Sequence, residues 1–278
     1  MGNLLSSSTA RPRANVHADR PFTLLSTPIS KLPPGTKPNI FHETASEMVN
    51  VHNLLLRGLN SIYLQALHID PADTHSFINY SHQWCRGVHL HHRGEESHLF
   101  PEVERMAGVQ GIMQTNLEQH DAFEGPLEEF RRYVDSCRTR KDVFDGKKVV
   151  RLIDAFAEPL REHLVAEIDT LLELEKYGEE KMAGLLPAMA HDGKKIMTQQ
   201  AMGLVDGLPF VMISIDREFE NGVWANKFPP AEAQIMVSLV RNVTFWVHRD
   251  WWKFGACDRS GKLQRLYAAV EDGETAAS

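Results

Sequence analysis

The chain pairs histidine with glutamate four residues apart more often than its composition explains. If its histidines and glutamates were distributed at random along the chain, roughly one such pair would be expected. The sequence has five: His91/Glu95, His92/Glu96, His98/Glu102, His120/Glu124 and His163/Glu167. Residues four apart lie on the same side of a helix, one turn apart. An imidazole and a carboxylate held in this way can bind one metal ion or two adjacent ions. The excess therefore predicts a metal site built from helices.

Four long helical patterns between residues 43 and 177 could position these pairs. We predict helices over residues 43–68, 73–99, 112–138 and 147–176, because apolar residues recur at helical spacing in each. Pro101 should end the second helix, whereas Gly125-Pro126 and Pro159 should kink the third and fourth. The connecting links are short to moderate, which favours antiparallel neighbours. The fold class is therefore predicted to be all-α, an up-down-up-down four-helix bundle.

The apolar stripe of the second helix separates its two adjacent histidine–glutamate pairs. His91 and Glu95 continue the stripe that includes Val88 at helical spacing. His92 and Glu96 lie about 100° around the helix from them. We therefore expect His91 and Glu95 to face the bundle interior, and His92 and Glu96 to face outward or to orient the ligands.

The other three helices also replace apolar stripe residues with ionisable ones at their centres. The predicted metal ligands are His52, His91, Glu95, His120, Glu124, His163 and Glu167. Burying such groups costs several kcal/mol each unless something compensates them. Four imidazoles and three carboxylates are too many for one tetrahedral zinc, and a shell without thiolate suits iron or manganese. We expect two metal ions bridged by carboxylate.

These residues carry a resemblance to the hemerythrin-like family, also called HHE cation-binding domains. The matching features are His52 and the stretches "HHRGEESHLFP", "LEQHDAFEGPL" and "REHLVAEIDTLLEL", and the resemblance covers residues 43–177. It implies a four-helix bundle with a non-heme di-iron centre that takes dioxygen as ligand or co-substrate. It also selects His91 and Glu95 as the ligand pair of the second helix. Two iron ions are the expected cofactor, with manganese or a mixed pair as the alternative.

The sequence departs from oxygen-carrying hemerythrins in its carboxylates. Those proteins have HxxxH on the third helix and a His–Asp pair on the fourth, where this chain has Glu124 and Glu167. An additional carboxylate should stabilise oxidised iron and favour oxygen activation over reversible binding. The long C-terminal region also resembles hemerythrin-like proteins of filamentous fungi, some of which accompany natural-product pathways. We therefore favour an oxygen-dependent oxidase or oxygenase acting on a small organic substrate. The alternatives are a protein that binds or senses dioxygen or iron without turnover, and an enzyme using its metal as a Lewis acid.

Two further regions flank the predicted bundle. Residues 1–42 read as an irregular lead-in whose first residues, MGNLLS, match the N-myristoylation pattern with Gly2 as acceptor. A single acyl chain would tether the protein to a membrane only weakly and reversibly. Residues 178–278 read as a mostly helical appendage packed on the bundle, with "PFVMISIDREFENGVW" as a short strand or an irregular segment.

Charge and hydropathy limit the partners. The formal net charge of −7 gives no reason to expect nucleic-acid binding, and no apolar stretch is long enough to span a bilayer. Three widely spaced cysteines favour structural thiols in a reducing compartment. We expect a cytoplasmic protein, peripherally attached to a membrane if Gly2 is acylated, and the sequence does not give its oligomeric state.

Overall fold

The computed structural model describes residues 15–198, 203–229 and 234–270, and its regular elements there are helices. The α-helices are α1 (Ile40–Gln65), α2 (Thr74–Gly94), α3 (Phe100–Ala107), α4 (Gln114–Arg138), α5 (Gly146–Asp154), α6 (Ala157–Glu173), α7 (Leu185–Thr198), α8 (Leu208–Ser214), α9 (Gln234–Asn242) and α10 (Arg249–Trp252). An isolated β-bridge joins Cys257 to Leu263. The predicted all-α class is confirmed.

Four of these helices form the bundle. Helix α1 packs against α2 and α6, and α4 packs against the same two partners, so the four close a ring. Asn39 begins α1 because its side chain accepts a hydrogen bond from the backbone N–H of His42 at 3.0 Å. Asp145 begins α5 in the same way through Lys147. The bundle predicted from helical periodicity is therefore present.

A layer of ionisable side chains divides the interior of the bundle into two apolar clusters. One cluster is built around Leu59, Trp84 and Phe156, and the other around Met48 and Leu171. Five of the predicted ligands lie between residues of the two clusters in sequence: His52, His91, Glu95, His120 and Glu167. His163 and Glu124 instead lie next to Leu164 and Phe123 of the first cluster. This layer is where the candidate site lies.

The ends of the second and fourth helices differ from prediction. Helix α2 continues through a π turn over Glu95–Leu99 into α3, past Pro101, and ends where Gly108 adopts a φ of +65°. Pro101 is tolerated because it directly follows the π turn, where the Phe100 N–H bonds Glu95 O five residues back in place of the regular four-residue bond. The predicted fourth helix is two helices, α5 and α6, which separate just before Pro159. Helix α4, in contrast, continues through Pro126, where a kink was predicted.

The lead-in is irregular but is held along α1 by buried polar side chains seven residues apart. Asn53 bonds both backbone groups of Leu25, Asn60 bonds the backbone of Phe22, and Ser46 accepts from Ile29. Residues seven apart lie on nearly the same side of a helix. Gly2 lies outside the described residues, so its acylation stays a prediction.

The C-terminal appendage packs on the bundle through α7, α8 and α10. Helix α8 replaces the predicted strand or irregular segment, because Pro209 lies in its first turn and its apolar residues are buried around it. Gly58 of α1 permits this packing: a Cβ there would lie 2.5 Å from Trp84 and 2.9 Å from Phe210. Within the described ranges, we find no helix with both the length and the apolar character that crossing a bilayer requires.

Candidate metal centre

The structure brings six of the seven predicted ligands together and adds His92. Their donor atoms form two groups, each within 4.8 Å: His52, His91, Glu95 and Glu167 in the first, and His92, Glu95, His120 and His163 in the second. All seven side chains are buried. Glu95 is the residue that the two groups share.

The first group joins α1, α2, the π turn and α6. His52 Nε2 lies 3.1 Å from a Glu167 carboxylate oxygen, and His91 Nε2 lies 3.0 Å from Glu95 Oε1. The His52 and His91 rings meet edge to face with centroids 5.2 Å apart. Two imidazoles and two carboxylates therefore converge on one volume.

The second group joins α2, the π turn, α4 and α6. His120 Nε2 lies 3.0 Å from His163 Nε2 and 3.6 Å from Glu95 Oε2. The His92 ring packs 4.5 Å from the His120 ring, centroid to centroid. Because one Glu95 oxygen faces His91 and the other faces His120, the carboxylate is placed to bridge two ions.

Three of the imidazole rings are oriented by a hydrogen bond at Nδ1, the ring nitrogen that points away from the other ligands. His52 Nδ1 lies 2.8 Å from the carbonyl oxygen of Leu164, and His163 Nδ1 lies 3.2 Å from Gln119 Oε1. His120 Nδ1 lies 2.6 Å from the carboxylate of Glu96. Since these partners accept hydrogen bonds, Nδ1 carries the proton and Nε2 of each neutral ring presents a lone pair to the interior.

The imidazole nitrogens and carboxylate oxygens that face the bundle interior require a cation nearby. His120 Nε2 and His163 Nε2 are both acceptors at 3.0 Å, an arrangement that repels unless a proton or a metal ion lies between or beside them. The same need holds for Nε2 of His52, His91 and His92 and for both Glu167 oxygens, which are buried without a hydrogen-bond partner in the described part of the chain. Buried polar atoms are rarely left so. The donor set therefore fits a pair of metal ions.

Burial keeps the imidazoles ready to bind metal. The pKa values of His91 and His92 are well below the ordinary value because of burial and because of neighbouring imidazoles. Burial likewise lowers the pKa of His163 to about 3, although Glu167 opposes the shift. Burial alone would raise the pKa of Glu167, but the imidazole of His52, 3.1 Å away, and the other surrounding imidazoles hold it below the ordinary value. Neutral imidazoles and an ionised carboxylate are the forms that ligate metals.

The expectation that His92 faces outward is wrong, because it considered only the four-residue spacing. His92 lies three residues before Glu95, and a spacing of three also places side chains on one helix side. His91 and His92 therefore both flank Glu95, at i−4 and i−3. Glu96 is exposed as expected and orients His120. The three-residue spacing between His92 and Glu95 is the sequence feature that could have indicated that His92 faces the interior.

The prediction that Glu124 faces the site is also wrong. Glu124 is exposed and belongs to neither group of converging donors among the described residues. The buried side of α4 runs through Asn116, His120 and Phe123, so the step after His120 is three residues, not four. Phe123 occupies the inward position, with its ring 5.0 Å from that of His92.

Comparison with known proteins agrees with this geometry. The model of the hemerythrin HHE cation binding domain matches residues 44–174. A protein of Cryptosporiopsis sp. (strain 8999), the dimeric xanthone biosynthesis cluster protein R11, is 34% identical over 230 residues, which cover 80% of this chain and 81% of the relative. No solved structure matches the chain.

Proposed function

The chain belongs to the hemerythrin HHE cation-binding family, and on that premise we propose that it holds two iron ions and uses dioxygen to oxidise a small organic substrate. The observation that carries the proposal is the shared carboxylate of Glu95, with one oxygen directed to each donor group. A shell of imidazole and carboxylate without thiolate suits iron or manganese. A carboxylate between two such shells favours a pair of ions over one.

In this proposal each protein group has a defined task. His52, His91 and Glu167 would hold one ion, and His92, His120 and His163 the other, with Glu95 between them. Leu164 O, Gln119 and Glu96 hold three rings in the tautomer that ligates through Nε2. When bound, the iron pair would supply the redox chemistry that carries electrons from the substrate to dioxygen. Phe100 and Phe123 pack beside His120 and limit water at that side.

The substrate proposal draws on the relative. Its name places it in a cluster for dimeric xanthone biosynthesis, and we propose a small aromatic natural product as the substrate of this chain. As an oxidase, the protein would take two electrons and two protons from the substrate and pass them to dioxygen, giving hydrogen peroxide. As a monooxygenase, it would insert one oxygen atom into the substrate and would need an external donor of two electrons, with two protons, to reduce the other oxygen atom to water. The two modes differ in their need for that donor.

The second candidate is a protein that binds dioxygen or iron without turnover. With Glu124 outside the site and His92 inside it, the shell has five imidazoles and two carboxylates. That is the composition expected of a carrier with HxxxH on its third helix and His–Asp on its fourth. The additional-carboxylate argument therefore no longer separates an oxidase from a carrier, and substrate turnover must decide between them.

The deciding experiment measures oxygen uptake by the iron-loaded protein with a pool of xanthones and related phenols, with and without an added reductant. We expect substrate-dependent uptake that is lost in His91→Ala and under chelation. Uptake no faster than that of His91→Ala, together with a visible absorption change that reverses when oxygen is removed, would establish the second candidate. Substrate conversion that persists without oxygen, or with zinc in place of iron, would instead indicate Lewis-acid chemistry.

A further inference from the structure

The appendage presents five large apolar side chains to solvent along one side of α9 and the turns after it. We call this set the apolar stripe, and its exposed fractions are Ile235 86%, Leu239 41%, Val243 56%, Trp246 52% and Val247 59%. Ile235, Leu239 and Val243 follow one another at spacings of four along one side of α9, and Val243 N–H bonds Leu239 O at its end. Trp246 and Val247 continue this exposed surface at the end of the 3-10 turn Thr244–Trp246 that follows. The stripe is therefore one continuous face.

The fold itself does not require this face. The opposite side of the same segment is buried through Val237, Val240 and Thr244, and α9 packs on α8 with that side. A surface helix normally buries its apolar side and exposes a polar one, whereas this helix is apolar on both. Contiguous exposed apolar patches of this kind mark interaction sites.

Cationic side chains border the stripe. The guanidinium of Arg259 lies 5.4 Å from the centroid of the Trp246 ring and bonds Asn242, which is next to Val243. Arg249 is exposed two residues after Val247. Residues 235–270 contain six lysines and arginines against two aspartates, a formal charge of +4 within a chain of net charge −7. Lys253 is paired with Asp73, so Arg249 and Arg259 are the cations that border the exposed apolar face.

The N-terminal segment leaves the described fold in the same region. Val16 O accepts a hydrogen bond from Leu266 N–H, and Leu266 lies shortly after the loop that carries Arg259. The residues before Asn15 include Arg11, Arg13 and the MGNLLS pattern.

We propose that the apolar stripe and its arginines bind the surface of an anionic membrane. The aliphatic side chains and Trp246 enter the headgroup boundary, and Arg249 and Arg259 lie against lipid phosphates. A second copy of the chain would cover the apolar side chains, but it would bring a second set of the same arginines to the interface. A membrane, by contrast, offers apolar depth and negative charge together, and the site is independent of the metal centre.

The test is sedimentation of the unacylated, iron-loaded protein with vesicles of 30% phosphatidylserine and 70% phosphatidylcholine, against vesicles of phosphatidylcholine alone. Val243→Asp is the variant, and Val143→Asp is its matched control, since Val143 is an equally plain surface valine, 83% exposed, beyond α4 on the bundle. We expect binding to anionic vesicles that weakens with salt, falls at least tenfold in Val243→Asp and is unchanged in Val143→Asp. Absence of binding by the parent, or equal binding by both variants, overturns the proposal.

A second measurement locates the contact directly. Brominated lipid should quench part of the tryptophan fluorescence of the parent, and that part should be lost in Trp246→Phe, which keeps an apolar ring. Quenching equal in both proteins would place the membrane contact elsewhere and overturn the assignment. A dimer that dissociates in Val243→Asp, without vesicle binding, would show that a second copy occupies the face.

Discussion

The bundle and the appendage depart from the usual distribution of polar and apolar side chains in opposite directions. At the centre of the bundle, seven ionisable side chains occupy positions that the fold would fill with apolar ones. On the appendage, five apolar side chains occupy positions that would ordinarily be polar. Each departure costs free energy in the isolated chain. The two proposals assign to each departure a ligand of the matching kind: a metal pair inside the bundle and a membrane outside the appendage.

The largest expected effect comes from removing the metal ions. If each ion is present at a hundred times its dissociation constant, the pair contributes about 5 kcal/mol to the free energy of unfolding. Chelation should then lower the melting temperature by roughly 10 °C or more. Val243→Asp should show the same drop, because the apolar stripe does not contact the metal layer. Calorimetry with and without chelator measures it, and equal melting temperatures would contradict the account.

Next in size is the effect of the shared carboxylate. Glu95→Gln keeps the side-chain shape but removes the charge that both donor groups use, so we expect iron affinity to fall at least about a hundredfold at both sites. Glu124→Gln makes the same chemical change on the exposed side of α4 and should leave affinity unchanged. Competition with a coloured chelator compares the two variants. Equal losses would restore Glu124 as a ligand and refute the register described for α4.

A smaller effect is expected from acid on the metal-free protein. An unfolded histidine takes up its proton near pH 6.5, whereas the folded-state pKa of His163 is about 3. The unfolded chain therefore binds more protons between these values, and stability falls as the pH falls through that window. From pH 7 to pH 5, His163 should account for about 2 kcal/mol of the loss. Urea unfolding of the parent and of His163→Phe measures this share. An equal loss in both proteins would contradict the assignment.

The smallest effect concerns orientation of a ligand. Glu96 is exposed, yet its carboxylate holds Nδ1 of His120 at 2.6 Å. Glu96→Gln should weaken iron binding at the second donor group by roughly 10- to 100-fold, because such partners fix the ring and raise its basicity. Glu102→Gln removes a nearby carboxylate that pairs with Arg105 instead and serves as the control. Chelator competition that ranks the two variants equally would show that Glu96 is not needed for orientation.

Periodicity predicted the bundle and most of the site because both depend on which residues share a helix side. His52, His91, His120 and His163 each continue an apolar stripe, so their inward direction could be read from the sequence. The same logic failed where spacings of three and four both fit. His92 was predicted to face outward and Glu124 to face inward. Only the packing of each helix against its neighbours decides which of the two spacings faces the interior.

Other features depend on tertiary contacts that no local pattern contains. The π turn after Gly94 carries the helix past Pro101, where local rules predict an end. Helix α8 forms inside an apolar pocket that includes Trp84 and the space left by Gly58, distant in sequence. The apolar stripe could not be recognised from the sequence, because an exposed apolar face and a buried one have the same periodicity.

Iron analysis of the purified protein tests the central claim most directly, with His92→Ala and the exposed His89→Ala as the paired variants. The account predicts two irons per chain in the parent and in His89→Ala, and no more than one in His92→Ala. A parent without iron, or a His92→Ala variant that keeps both ions, would contradict it.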